Sequence, residues 1–451
     1  MNRLFCSIVV PLLAFVTYAP GASGEPFAPN WESIDKRPNP PWFAEAKFGI
    51  FIHWGVYSVP SWGPKQRYAE WYWHDMRDKN SDTWAFHKNT FGENFKYQDF
   101  APRFKAELYD PARWADILAR SGARYVVLTS KHHDGFCMWP SHESWNWNCV
   151  DVGPHRDLAG DLIQAVRARG LRAGFYYSMY EWYNPLYHTD VNRYVQQHMI
   201  PQMKDLVQRY KPDIIWPDGE WEHPSATWHS AEFLAWLFNE SNAPKDVVVN
   251  DRWGKDCRNR HGGFATPEYG NIPKGKLIQA GRFEECQGMG HSFGYNRNED
   301  ADNYRTATGL IHLLIDNVSR GGNLLLDIGP TADGRIPVIM QQRLLDMGKW
   351  LKVNGEAIYG TRKWRQTGQG DQIRYTAKGD DLYAICLQWP GNVLELTAPQ
   401  PAASTTATLI GHQEPLSWTH ADGKLRITVP ALTIDQLPAR HAYVFKLTEV
   451  K

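Results

Sequence analysis

Charge of one sign is missing from this chain. Its 451 residues carry 49 Lys and Arg against 49 Asp and Glu, so the formal net charge is zero. That balance argues against nucleic acid or an anionic membrane surface as the main partner. Long apolar runs are missing beyond the N-terminus, so no later stretch predicts a membrane span. The N-terminus itself has the make-up of a secretory signal. Arg3 supplies positive charge, Leu4 to Ala19 are mostly apolar with Pro11 interrupting, and Ala22-Ser23-Gly24 offer small residues for cleavage near Gly24. The mature protein is therefore expected to be exported, with periplasm, extracellular space and lysosome all open. Cysteine is scarce, with 6 residues. Cys6 would leave with the signal. Cys137, Cys149, Cys257, Cys286 and Cys386 remain, an odd set in which at least one lacks an intrachain partner. The spacing of Cys137 and Cys149 allows a bridge. No CxxC pair and no HExxH motif occur, which removes the usual signs of zinc. Internal repeats and long disordered linkers are absent as well.

Aromatic residues are plentiful, with 21 Trp and 21 Tyr. Flat indole and phenol faces suit the apolar faces of pyranose rings, although any one of them can equally serve a core. Strand-like and helix-like runs alternate up to about residue 360. Strands are predicted at 47–55, 123–130, 171–178, 214–218, 247–252 and 322–328. Helices are predicted over 114–121, 161–169, 191–210, 231–239, 304–318 and 338–353. Continuous apolar strands alternating with amphipathic helices predict βα units around a parallel sheet, here an irregular (β/α)8-like barrel of the TIM type. The stretch 258–290 is the least regular. After Arg362 short alternating runs separated by turn residues predict an antiparallel β-sandwich. The expected division is a signal at 1–24, a catalytic barrel at 25–362 and a sandwich at 363–451.

Polar residues cluster at the predicted carboxyl ends of barrel strands, where this fold keeps its chemistry. His53 and Trp54 end the first strand, His132, His133 and Asp134 follow the second, and Tyr176 and Tyr177 end the third. Asp218 ends the apolar run Ile214-Ile215-Trp216, and Asn250-Asp251-Arg252 ends the next strand. Zinc at His53, His132, His133 and Asp134 is the weaker reading. Adjacent histidines in an extended chain point to opposite sides, and neutral imidazoles suit sugar hydroxyls. Retaining hydrolysis of a glycoside needs two carboxyls about 5 Å apart, one attacking the anomeric carbon and one holding a proton. Asp218 is the candidate nucleophile. Glu268, Glu284 and Glu70 are the candidate acids, and spacing alone does not rank them.

Seven motifs carry a family resemblance. They are Phe48-Gly49-Ile50-Phe51-Ile52-His53-Trp54-Gly55, Glu70-Trp71-Tyr72, Lys131-His132-His133-Asp134-Gly135-Phe136, Trp216-Pro217-Asp218-Gly219, Asn250-Asp251-Arg252-Trp253-Gly254, Ser292-Phe293-Gly294-Tyr295-Asn296 and the run 321–330. In this order, over about residues 40–360, the chain resembles the retaining α-L-fucosidases of glycoside hydrolase family 29. The resemblance implies a distorted barrel followed by a β-sandwich, exo-acting release of terminal α-L-fucose from glycans or oligosaccharides, and no cofactor or metal. By position, Asp218 matches the nucleophile and Glu268 the acid/base, with Glu284 the second candidate. His53, Glu70, Trp71, His132, His133, Tyr177 and Arg252 match residues that bind fucose hydroxyls. Trp216 and Phe293 match apolar walls around the ring and its methyl, and Trp54 and Glu284 complete the candidate sugar-binding set. The chain departs from the pattern at Gly263, where many relatives carry Asp, and at Phe283, where many carry Trp. A sugar-binding protein with a dead site and an enzyme for L-galactosides are the competing readings. Homo-oligomerisation is left open.

Overall fold

The computed structural model describes residues 25–270 and 282–450. The predicted signal at 1–24, with Cys6, lies outside the described residues. Seven parallel strands form one curled sheet. They are β1 (Phe48–Ile52), β2 (Tyr125–Lys131), β3 (Arg172–Ser178), β4 (Ile214–Asp218), β5 (Val248–Val249), β6 (Glu284–Gly288) and β7 (Asn323–Ile328), in the order β5-β4-β3-β2-β1-β7-β6. Helices cross between them at Pro111–Arg120, Leu158–Ala168, Ile200–Tyr210, Ser230–Asn239 and Ala307–Ser319, and Val338–Asn354 follows β7. Three of these helices start on a side-chain cap. Asp110, Asp157 and Thr306 accept the N–H groups of Arg113, Gly160 and Gly309, which satisfies donors that a helix start leaves free.

The strands alternate their side chains between two layers. Phe51, Tyr125, Val127, Tyr176, Trp216, Val248 and Leu325 pack together inside the barrel. Ile50, Ile52, Val126, Leu128, Phe175, Tyr177 and Leu326 join the larger core against the helices. This period of two decides which strand-end residues reach the site.

Three local departures from the expected elements have physical causes. The strand expected at 247–252 shrinks to two residues, because the Asn250 side chain accepts the Arg252 N–H at 3.0 Å and turns the chain. The helix expected over 191–210 carries a π-helical turn at Val195–Met199, just before Pro201. Proline donates no hydrogen bond and crowds the preceding turn, so the helix widens there. The irregular stretch contains β6 and, beside it, the segment 265–268. Glu284 N–H donates to Ala265 O (2.8 Å) and Cys286 N–H to Pro267 O (3.0 Å), so this segment runs alongside β6 like an irregular eighth strand.

Nine antiparallel strands complete the chain: β8 (Arg362–Gln369), β9 (Ile373–Lys378), β10 (Asp381–Cys386), β11 (Val393–Leu396), β12 (Ala407–Leu409), β13 (Pro415–Leu416), β14 (Trp418–Ala421), β15 (Lys424–Thr428) and β16 (Tyr443–Leu447). They form a six-stranded sheet, β13-β12-β16-β10-β9-β8, and a three-stranded sheet, β11-β15-β14. All five described cysteines are buried and free. Cys149 N–H donates to Cys137 O at 2.9 Å, yet these two form no disulfide. Among the described residues no helix is long and apolar enough to cross a membrane.

Candidate active site

Asp218 is the last residue of β4 and shares the inward parity of Trp216. Its Oδ2 accepts from Tyr176 OH at 2.9 Å and its Oδ1 from Arg252 at 2.5 Å. His133 Nε2 lies 4.0 Å from Oδ2 and Arg258 3.9 Å from Oδ1. Burial alone would raise this carboxyl, but the Arg252 guanidinium, with Arg258 behind it, outweighs burial and holds it below the usual carboxylate range.

Arg252 organises the mouth of the barrel. It is only 2% exposed, and each guanidinium nitrogen has a partner. One terminal nitrogen serves Asp218. The other serves Glu268 and the Thr266 carbonyl, and Nε donates to Thr266 Oγ1 at 2.8 Å. Thr266 in turn donates to Asp251 at 2.6 Å. The guanidinium lies over the Trp216 ring, 4.4 Å from its centroid. A buried cation this fully paired is tolerable; unpaired, it would not be. Glu268, at the end of the segment 265–268, is thus joined to Asp218 through one guanidinium. Its side chain stays 32% exposed.

The histidines owe their placement to a bulge. The β2–β3 register shifts between Thr129 and Lys131, which flips the parity of the residues beyond it. Lys131 turns outward onto Glu181, at 2.6 Å. A turn then brings the His132 and His133 rings within 4.1 Å of each other, unlike the opposed pair expected of an extended chain. Burial lowers both imidazoles, His132 to about 3. Ser178 donates its one proton to Tyr180 O and so accepts from His133 Nδ1 at 2.6 Å. His133 Nε2 is left as an acceptor facing Asp218. His53 stacks on Phe293, with centroids 4.9 Å apart, and its Nδ1 shares a 2.6 Å hydrogen bond with Asp327 Oδ1. Burial pushes His53 down.

The structure brings most of the sequence-predicted residues together. Trp71 stands beside His133, with centroids 5.3 Å apart. Glu70 accepts from Gly294 N–H at 2.8 Å and so fixes the turn that carries Phe293. Burial raises Glu70 to about 7. Trp216 lies under Arg252 and donates to Glu284 Oε1 at 2.9 Å.

Three predicted residues are elsewhere. Trp54 points outward, against Phe104, Tyr109 and Trp114, and donates to Thr331 O. Tyr177 faces the helices and donates to Gln202 at 2.7 Å. Both sit one residue out of phase with an inward neighbour, His53 or Tyr176. Glu284 starts β6, paired in register with Asn323, the first residue of β7. It is fully buried and accepts from Tyr125 and Trp216. Burial raises it to about 7.

Several residues went unread in the sequence. Asp327 lies hidden in an apolar run, and alternation from Leu325 would have pointed it inward. Glu220, two residues past Asp218, is buried and accepts from Arg258 Nε at 2.5 Å. Trp221 follows it, 39% exposed. Asp134, weighed as a metal ligand, accepts from Tyr97 OH at 2.6 Å and from Phe136 N–H instead. Among the described residues no group of three or more His, Cys, Asp or Glu is arranged to hold a metal ion.

Comparison with known proteins adds the family context. The α-L-fucosidase family model matches residues 14–356, and the model of the α-L-fucosidase C-terminal domain matches 367–448. The tissue α-L-fucosidase of Homo sapiens is 46% identical over 437 residues, 94% of this chain and 92% of that protein. The plasma α-L-fucosidase of Rattus norvegicus is 43% identical and covers 99% of this chain and 100% of its own length. The crystal structure of Thermotoga maritima α-fucosidase in complex with fucose superposes with a TM-score of 0.80 at 37% identity, over 94% of this chain and 100% of that one.

Proposed function

The chain belongs to the α-L-fucosidase family of glycoside hydrolases, and from that membership we propose that it releases terminal α-L-fucose from glycans by double displacement, with Asp218 as nucleophile and Glu268 as acid/base. The carrying observation is the single Arg252 guanidinium that clasps both carboxyls. Held on the two terminal nitrogens of one guanidinium, both carboxyls reach the same mouth of the barrel, as a glycosidase working with two carboxyls requires. Asp218, held ionised by its cations, attacks the anomeric carbon. The glycosidic bond breaks, and the departing oxygen takes the Glu268 proton. Glu268 then removes a proton from water, whose oxygen displaces Asp218 and frees L-fucose with retained configuration. Neutral His53, His132 and His133 hold hydroxyls in place, and Phe293 offers an apolar face to the C5 methyl. Glu284 is a poorer acid, because both its oxygens are taken inside the barrel. Glu70 is spent on the turn at Gly294.

The test is hydrolysis of an aryl α-L-fucoside by the mature protein, with and without azide. Asp218→Ala is expected to abolish turnover. Glu268→Ala is expected to lose roughly 10²–10⁴-fold on substrates with a sugar leaving group and to yield a fucosyl azide. Full turnover in Glu268→Ala would return the acid role to Glu284. No turnover by the unmutated protein would leave a sugar-binding protein.

A further inference from the structure

Asp327 is a buried acid that the proposed reaction leaves without a task. It stands on β7 in register with Phe51 of β1 and Gly288 of β6, and it is 1% exposed. Its Oδ1 shares the 2.6 Å hydrogen bond with His53 Nδ1, and its Oδ2 has no hydrogen-bond partner among the described residues. No Lys or Arg of the described residues pairs with it. The other titratable groups around it are Glu70, an acid like itself, and the phenols Tyr57 and Tyr269. Both phenol hydroxyls are engaged elsewhere, with Thr129 and with the His291 carbonyl.

A carboxylate enclosed with one hydrogen bond and no cation would be a buried charge that nothing offsets. A carboxylic acid in the same place is a polar group with one spare acceptor. Burial first, and then Glu70, hold Asp327 well above the usual carboxylate range, and the His53 backbone N–H offsets only part of this. Burial lowers His53, so the imidazole does not take the proton from the acid. With Nδ1 accepting, the single proton of the neutral ring sits on Nε2. Nε2 has no protein partner among the described residues and is not enclosed, so it opens to the mouth. His133 is set the other way, because Ser178 fixes its proton on Nδ1 and leaves Nε2 an acceptor.

We propose that Asp327 is a positioning residue whose carboxylic hydroxyl donates to His53 Nδ1 and so holds Nε2–H as a donor to a fucose hydroxyl oxygen. The proposal rests on the fucosidase reading for the sugar, and not for the placement of the proton. Its consequence is that the mouth offers one imidazole donor and one imidazole acceptor, each fixed by a different partner, to hydroxyls that can both give and accept.

Two measurements check it. In protein labelled with nitrogen-15 at histidine, the His53 signals, identified by their loss in His53→Asn, should show a protonated Nε2 and a bare Nδ1 at neutral pH. A protonated Nδ1 would overturn the proposal. Asp327→Leu, which has no donor, is expected to lower kcat/KM on an aryl α-L-fucoside about tenfold, measured below its melting transition. Asp327→Asn, whose amide can donate to Nδ1, is expected to stay within about threefold of the parent. Parental kcat/KM in Asp327→Leu, or a loss in Asp327→Asn as large as in Leu, would reduce Asp327 to a structural acid and overturn its positioning role. The spectrum and the Asn variant decide the matter where Asp327→Leu fails to fold. No turnover by the unmutated protein would overturn the fucosidase reading, while the tautomer seen in the spectrum would still stand or fall by itself.

Discussion

Tyr176 and Tyr177 are adjacent, alike and opposite in consequence. Tyr176 OH donates to Asp218, while Tyr177 OH donates to Gln202 behind the sheet. Tyr176→Phe removes a hydrogen bond to a charged group, worth about 1.5–3 kcal/mol. It should lower kcat/KM on an aryl α-L-fucoside roughly tenfold or more. Tyr177→Phe should lower the melting temperature, at about 1 kcal/mol, with kcat/KM close to the parent. The reverse pattern would mean that β3 presents its other face. Sequence made Asp218, Arg252 and the paired histidines legible, because polar residues ending apolar strands stand out. It did not separate Tyr176 from Tyr177, or His53 from Trp54, because the inward parity depends on where each strand starts. The departure at Gly263 also has a local cause. A Cβ there would lie 2.4 Å from Val249 O and 2.5 Å from the Asn39 side chain, so this backbone has no room for Asp.

The element least legible in the sequence is β6, Glu284-Glu285-Cys286-Gln287-Gly288. All of it is buried although most of it is polar, so no apolar run announces it. Its burial depends on partners far along the chain: Tyr125 and Trp216 for Glu284, and the segment 265–268 for the backbone. β8 escaped notice for the opposite reason. It is an exposed edge strand rich in Lys and Arg, the charged kind that discourages pairing with other chains. The burial of Glu284 has a measurable consequence. Its carboxyl rises from 4.5 to about 7 in the folded protein, first through burial and despite the Tyr125 and Trp216 hydrogen bonds. A raised acid stabilises the fold below its unfolded value, and that contribution is lost as pH climbs through the folded value. Glu284→Gln has no such term, while the buried histidines titrate alike in both proteins and cancel. The variant should be less stable than the parent at pH 4.5, and the deficit should shrink by about 3 kcal/mol on the way to pH 8. Denaturant unfolding at a series of pH values measures this. A deficit constant with pH would place Glu284 in contact with solvent or with a cation.

At the scale of the whole molecule, the sandwich is fused to the barrel. The change from continuous apolar runs to short alternating ones marks the change from parallel to antiparallel sheet in the sequence. It does not reveal that the middle of the six-stranded sheet is buried on both faces. Along β10, Leu382, Ala384 and Cys386 face the sandwich interior with Leu425 and Ile427. Tyr383 and Ile385, together with Val444 of β16, join the barrel core. Trp350, on the helix after β7, donates to Ala442 O at 3.0 Å, and His312 pairs with His441 O at 2.8 Å. Arg374 of β9 meets Asp316 at 2.8 Å. A seam built from shared core residues couples the two parts, so neither should melt alone. Heating should give one transition, with sheet circular dichroism and fucosidase activity lost together. Trp350→Ala opens the seam without touching the catalytic mouth, and a buried aromatic removed from a core costs about 3–5 kcal/mol. The variant should melt several degrees lower, still in one step, and keep the parent's kcat below its transition. Two separated transitions, with activity following only one of them, would show that the sandwich is an appendage and that the shared core contributes little to holding the barrel closed.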